Sequence, residues 1–101
     1  MMKYLLVEDE RFAYEEMKRM MEKLRPDYQL EAWTATVEQT VQFLKHHPVD
    51  LVLLDIRLTD GNSFDIFEQI QVTTPVIFTT AYDEHAIQAF KVNSVDYLLK
   101  P

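Results

Sequence analysis

Asp50-Leu51-Val52-Leu53-Leu54-Asp55-Ile56 is the stretch that decides the fold. Its centre is apolar without polar alternation, and it runs into an acid. So short a run predicts a strand buried on both faces, as strands of a parallel sheet are. Parallel neighbours need crossover connections, usually helices, and both flanks supply them. Upstream, Tyr4-Leu5-Leu6-Val7 is a first strand of the same kind. Ala13, Met17, Met20, Met21 and Leu24 then form one apolar stripe of a helix, with Lys18, Arg19, Glu22 and Lys23 largely outside it and Pro26 just beyond. Tyr28 to Thr34 alternates and carries Glu31, which places a second strand at a sheet edge. Thr36-Val37-Glu38-Gln39 has the capping-box pattern. Val37, Val41 and Leu44 mark a short helix that ends near Pro48, with His46 and His47 close to its negative pole.

Downstream, Asp60-Gly61-Asn62 is a turn, and Ser63 can cap a helix whose inner side holds Ile66, Phe67 and Ile70. Pro75 opens a fourth strand, Val76-Ile77-Phe78. Asp83 can cap a helix carrying Ala86, Ala89 and Phe90, and Asn93 suits a left-handed C-cap. Tyr97-Leu98-Leu99 is the fifth strand. Trp33 and the five methionines fall on core-like positions. The pattern is βα four times and then β. It predicts a doubly wound α/β fold: a five-stranded parallel sheet, right-handed crossovers, and the flavodoxin-like order 2-1-3-4-5.

Composition narrows the function. The chain has 101 residues, enough for one domain, and 48% of them are hydrophobic. Gly61 is the only glycine, so neither a Rossmann fingerprint nor a Walker loop can be built. There is no cysteine, which removes disulfides, thiolate metal sites and cysteine nucleophiles and suits a reducing cytosol. Seventeen acids against ten bases give a net charge of −7. Such a surface is repelled by nucleic-acid phosphates and anionic membranes, so direct contact with either is not expected. No apolar run approaches the roughly 20 residues of a membrane span, and the N-terminus lacks the make-up of a signal peptide. The three histidines are too scattered for a metal site.

In open α/β sheets, ligands bind beyond the carboxyl ends of the strands. Glu8 and Asp9 follow the first strand, Asp55 ends the third, Thr79 and Thr80 follow the fourth, and Lys100 follows the fifth. The first and third strands flank the switch point, so three carboxylates should meet there beside a hydroxyl and an ammonium. Carboxylates so close repel one another, and a divalent cation relieves the repulsion. All-oxygen ligands suit Mg²⁺, which keeps several waters and accepts phosphate oxygens. A carboxylate beside Mg²⁺, with Thr and Lys to hold phosphoryl oxygens, is equipped for phosphoryl transfer. Each part has a plainer explanation. Glu8-Asp9-Glu10 can be a favourable helix N-terminus, Thr80 can be a packing residue, and Lys100 a solvated one. Four strand ends carrying the matching chemistry together favour a site.

These stretches resemble the receiver domains of two-component response regulators. The similarity lies in Leu6-Val7-Glu8-Asp9-Glu10, in Asp50 to Ile56, in Pro75-Val76-Ile77-Phe78-Thr79-Thr80-Ala81 and in Val95-Asp96-Tyr97-Leu98-Leu99-Lys100-Pro101. The run from Ala89 to Pro101 looks most like receivers attached to LytTR-type DNA-binding domains. The resemblance implies a cytoplasmic phosphorylation-activated switch and no conventional enzyme. Asp55 would take a phosphoryl group from a sensor histidine kinase. Mg²⁺ would be held by Asp9, Glu8, Asp55 and the backbone carbonyl of Arg57. Thr80 and Lys100 would hold the phosphoryl oxygens, with Tyr97 as the aromatic switch and a cis bond between Lys100 and Pro101. The face made by the fourth helix and fifth strand would change and control an output domain, expected to bind DNA and absent from this chain.

Some features depart from the family pattern. The usual proline after the phosphoacceptor is missing, since the loop reads Leu58-Thr59-Asp60. Arg57 and Tyr82 are bulky at the positions that flank water's approach, so slow autodephosphorylation is expected. The family's fifth helix normally follows Lys-Pro, and this chain ends there, as a truncated piece would. The uncovered side would favour a homodimer or segment exchange. Three rival explanations fit less well. A haloacid-dehalogenase-like phosphotransferase needs an acid where Arg57 stands. A flavodoxin-like carrier needs a glycine- and hydroxyl-rich loop where Glu8-Asp9-Glu10 stands. A pseudo-receiver acting only as an interaction module normally lacks one of the acids, the Thr or the Lys.

Overall fold

Leu5, Leu6 and Val7 have no exposed surface and Tyr4 almost none. These residues end β1 (Met2–Val7), a central strand covered on both faces. The computed structural model describes residues 2–80 and 94–99. After β1 come α1 (Arg11–Leu24), β2 (Tyr28–Thr34), α2 (Val37–His46), β3 (Leu51–Leu54), β4 (Arg57–Leu58), β5 (Gly61–Asn62), α3 (Phe64–Gln69), β6 (Val76–Thr80) and β7 (Ser94–Leu99). Five strands form the main sheet in the order β2-β1-β3-β6-β7, and every pair in it is parallel. Numbered among themselves, these five have the expected order 2-1-3-4-5. The expected edge strand, β2, lies at the edge.

Alternation along the buried strands feeds two cores. Leu5, Val7, Val52, Leu54, Val76 and Phe78 pack with Val37 and Val41 of α2 and Phe64 and Ile66 of α3. Tyr4, Leu6 and Leu53 point the other way and pack with Met17 of α1. Helices therefore cover both faces, as a doubly wound sheet requires. No helix among the described residues is long and apolar enough to cross a membrane.

The structure corrects several expectations. The apolar stripe of α1 is only partly used. Met17 is buried, but Met20 is 39% and Leu24 66% exposed. The line of α1 that meets the sheet runs through Tyr14, Met17 and Met21, and the flank beyond it stays open. Met2 is also exposed, and Trp33 is 38% exposed, so neither is a core residue. Trp33 instead stacks flat on Tyr14, with ring centroids 3.8 Å apart.

The third strand is shorter than the apolar run. It stops at Leu54 because the carbonyls of Asp55 and Ile56 turn to Ser63 and leave the ladder. A two-residue hairpin, β4 with β5, follows and was not foreseen. Gly61 closes it at φ +150°, and a Cβ there would sit 3.1 Å from Asp65 Oδ2. Ser63 occupies the N-cap position of α3 but makes no capping bond. Asn62 Oδ1 accepts from the Phe64 amide instead, at 2.9 Å. At α2, Thr36 Oγ1 accepts from the Gln39 amide as the capping box requires, but Gln39 Oε1 accepts from Ala35, one residue earlier than the motif has it. The fourth and fifth strands run longer than expected. The helix expected after Asp83, the Asn93 cap and the Lys100–Pro101 peptide bond lie outside the described residues.

Candidate functional site

The site is assembled by strand register. β1 and β3 are neighbours with Val7 opposite Leu54, and the Asp55 amide donates to the Val7 carbonyl at 3.0 Å. The acids that follow each strand are thereby level. One carboxylate oxygen each from Glu8, Asp9 and Asp55 lies within 4.8 Å of the other two. Glu8 is 1% and Asp55 8% exposed, and Asp9 faces solvent. Two of the three charges therefore sit where water screens them poorly.

Each acid is braced by its backbone or by a neighbour. The Glu8 amide donates to the Thr34 carbonyl of β2 at 3.0 Å. The Trp33 indole Nε1 donates to the Glu8 carbonyl at 2.6 Å. The Glu10 amide donates to Glu8 Oε2 at 3.3 Å. Thr59, in the hairpin, places its hydroxyl 3.4 Å from Asp9 Oδ2. Ser63 Oγ donates to the Asp55 carbonyl at 2.6 Å. Glu10 has a different role. Its carboxylate accepts from the Phe12 and Ala13 amides and caps α1, so the helix-terminus explanation holds for the third acid of the run.

The donor set fits Mg²⁺. All three groups are carboxylates, and hard oxygen ligands on an open rim suit an ion that retains several waters. The three carboxylate oxygens lie close enough together for one cation to reach all of them.

The hairpin ties this rim to α2. Asp60 Oδ1 and Oδ2 accept from the Val37 and Glu38 amides at 2.7 and 3.1 Å. Desolvation pushes the Asp60 carboxyl up, but the amides of Val37, Glu38 and Asp60 itself outweigh it, and its pKa lies below the usual value.

The remaining predicted residues sort by strand. Arg57 stands two residues past Asp55, exposed, in β4. Thr80 is the last residue of β6, opposite Leu99 of β7. β6 is the neighbour of β3, with Phe78 opposite Leu54. Tyr97 lies in β7 opposite Phe78. Tyr82 and Lys100 lie outside the described residues. Sequence reasoning missed three residues at the rim: Ser63, Thr59 and Trp33. Thr59 stands in the loop where the expected proline is missing, which was a usable signal. The other two announce themselves only through contacts distant in sequence.

Residues 4–101 match the response regulator receiver domain family. The sensory transduction protein LytT of Bacillus anthracis is 36% identical over 104 residues, which cover 100% of this chain and 42% of LytT. The transcriptional regulatory protein LytR of Staphylococcus aureus strain N315 is 33% identical over 103 residues, with 99% of this chain and 42% of LytR covered. This chain thus spans less than half the length of these two relatives. Among solved structures, the response regulatory domain of mrkE from Klebsiella pneumoniae is similar with a TM-score of 0.84 and 29% identity, over 99% of this chain and 84% of that one.

Proposed function

This chain belongs to the response regulator receiver domain family, and from that premise we propose that it is switched by phosphorylation at Asp55. The observation that carries this is the cluster of Glu8, Asp9 and Asp55 at the sheet's switch point. A carboxylate oxygen of Asp55 attacks the phosphorus of a phosphohistidine on a sensor kinase. A P–O bond forms, the P–N bond breaks, and the imidazole takes a proton. Glu8, Asp9 and Asp55, with the Arg57 backbone carbonyl, are the groups that would hold Mg²⁺. The bound ion would supply charge neutralisation for the acids and the phosphoryl oxygens.

Thr80 and Lys100 then bind phosphoryl oxygens, and Tyr97 follows Thr80. That differential binding favours the state in which the face made by the fourth helix and fifth strand presents a different surface. Arg57 and Tyr82 shield the phosphoryl group from water and lengthen its life. The switch acts in the cytoplasm on an output domain that controls transcription, in keeping with the longer relative LytR, a transcriptional regulatory protein. Receiver domains are signalling switches, and the only catalysis proposed for this one is Mg²⁺-dependent self-phosphorylation from a phosphodonor and autodephosphorylation.

Mg²⁺-dependent labelling by acetyl phosphate tests this, read by intact mass. The wild type gains one phosphoryl group and Asp55→Asn gains none. Wild-type labelling levels in Asp55→Asn would overturn the assignment.

A further inference from the structure

Ser63 stands in a helix-capping position and does not cap. It has no exposed surface. Its hydroxyl lies 2.6 Å from the Asp55 carbonyl and 2.9 Å from the Ile56 carbonyl, so its single proton is shared between two successive peptides. Its amide donates to the Ile56 carbonyl at 2.7 Å. The first of these distances is at the short end for an O–H···O bond. The amide of Asp55 is meanwhile held by Val7, the residue directly before Glu8. The Asp55 backbone is thus fixed at both ends, by β1 on one side and by Ser63 on the other.

We propose that Ser63 is a positioning residue for phosphoryl transfer. Its buried hydroxyl sets the peptide that follows Asp55, and through it the aim of the Asp55 carboxylate and the place of the Arg57 carbonyl. The proposal rests on the phosphoacceptor assignment above. Without the hydroxyl, the Asp55 carbonyl loses this donor in a place water cannot readily reach. The peptide is then no longer held in this orientation by Ser63. The carboxylate moves with it, and a displacement near 1 Å at a reacting group costs roughly 10²-fold in rate. The Ile56 carbonyl keeps the Ser63 amide, so the damage falls on the residue that reacts.

The test compares Ser63→Ala, Ser63→Cys and Ser63→Thr with Val41→Ala, a core variant in α2 that makes no hydrogen bond to the Asp55 peptide. Cysteine is the nearest in shape, slightly larger, and donates weakly, and threonine keeps the hydroxyl. Two quantities are read: the maximal rate of labelling by acetyl phosphate at saturating Mg²⁺, and Mg²⁺ affinity by calorimetry without a phosphodonor. Ser63→Ala and Ser63→Cys should be slowed about tenfold or more and should bind Mg²⁺ several-fold more weakly. Ser63→Thr should recover most of both. Val41→Ala should lose stability and keep both. If Ser63→Ala fails to fold, the cysteine and threonine variants decide.

Wild-type rate and affinity in Ser63→Cys, or equal losses in Val41→Ala, would show a purely structural serine and overturn the proposal. If the wild type takes no phosphoryl group, the phosphoacceptor assignment fails by itself. The Mg²⁺ measurement then still decides whether Ser63 sets the acids.

Discussion

Thr79 is buried in β6, and its hydroxyl has no hydrogen-bond partner among the described residues. A buried unpaired hydroxyl costs about 1–3 kcal/mol. Thr79→Val keeps the branched shape and removes the polar atom. It should raise the unfolding free energy by about 1 kcal/mol in a urea titration, and a variant weaker than wild type would reveal a partner. The next residue, Thr80, was readable from sequence as a hydroxyl at a strand end, whereas nothing distinguished Thr79 as an unpaired group. Asp55 was legible for a physical reason: an acid ending the most apolar strand is costly unless it is used or paired. Ser63 was not. A serine before an apolar helical pattern reads as a cap, and only the fold shows that two carbonyls eight and seven residues earlier compete for its proton and win.

At the level of elements, α2 is held at its start by residues from two places. Thr36 caps it locally, and Asp60 reaches across from the hairpin to its first two amides. Asp60→Ala should cost about 1 kcal/mol, the usual worth of a lost cap. The pH dependence has a definite sign. The Asp60 pKa is lower in the folded protein, so its contribution is complete above the ordinary carboxylate value and is lost as pH falls through the lower folded value. The stability gap between wild type and Asp60→Ala should therefore be full at pH 7 and should close under strongly acidic conditions. A gap unchanged down to pH 2 would contradict the charged cap. Local signals placed β2 and α2 well, since alternation and Thr36 are properties of neighbouring residues. They failed after Leu54, where the carbonyls of Asp55 and Ile56 turn to Ser63 and a hairpin follows the apolar run. The stripe of α1 misled for a related reason: periodicity shows which side of a helix is apolar, not how much of that side meets the sheet.

Across the whole molecule, the sheet order was legible because buried strands joined by helices leave few arrangements. Strand order and register then bring Glu8, Asp9 and Asp55 together from positions almost fifty residues apart. That assembly should make stability depend on the metal. A ligand bound only by the folded state at ten times its Kd adds about 1.4 kcal/mol. For a domain near 100 residues this is a rise of roughly 6 °C in Tm. Mg²⁺ should produce such a rise in the wild type and little of it in Asp9→Asn. Equal rises would place the ion elsewhere.

The stacked pair of Tyr14 and Trp33 carries an optical consequence. Trp33 is the only tryptophan of the chain, and its indole N–H is bonded to the carbonyl of Glu8. Excited selectively over the chain's five tyrosines, the indole is a single fluorophore hydrogen-bonded to the backbone of the acidic rim, with the Tyr14 phenol ring lying flat against it. A movement of Glu8 that breaks this hydrogen bond should therefore change the indole emission of the unlabelled protein.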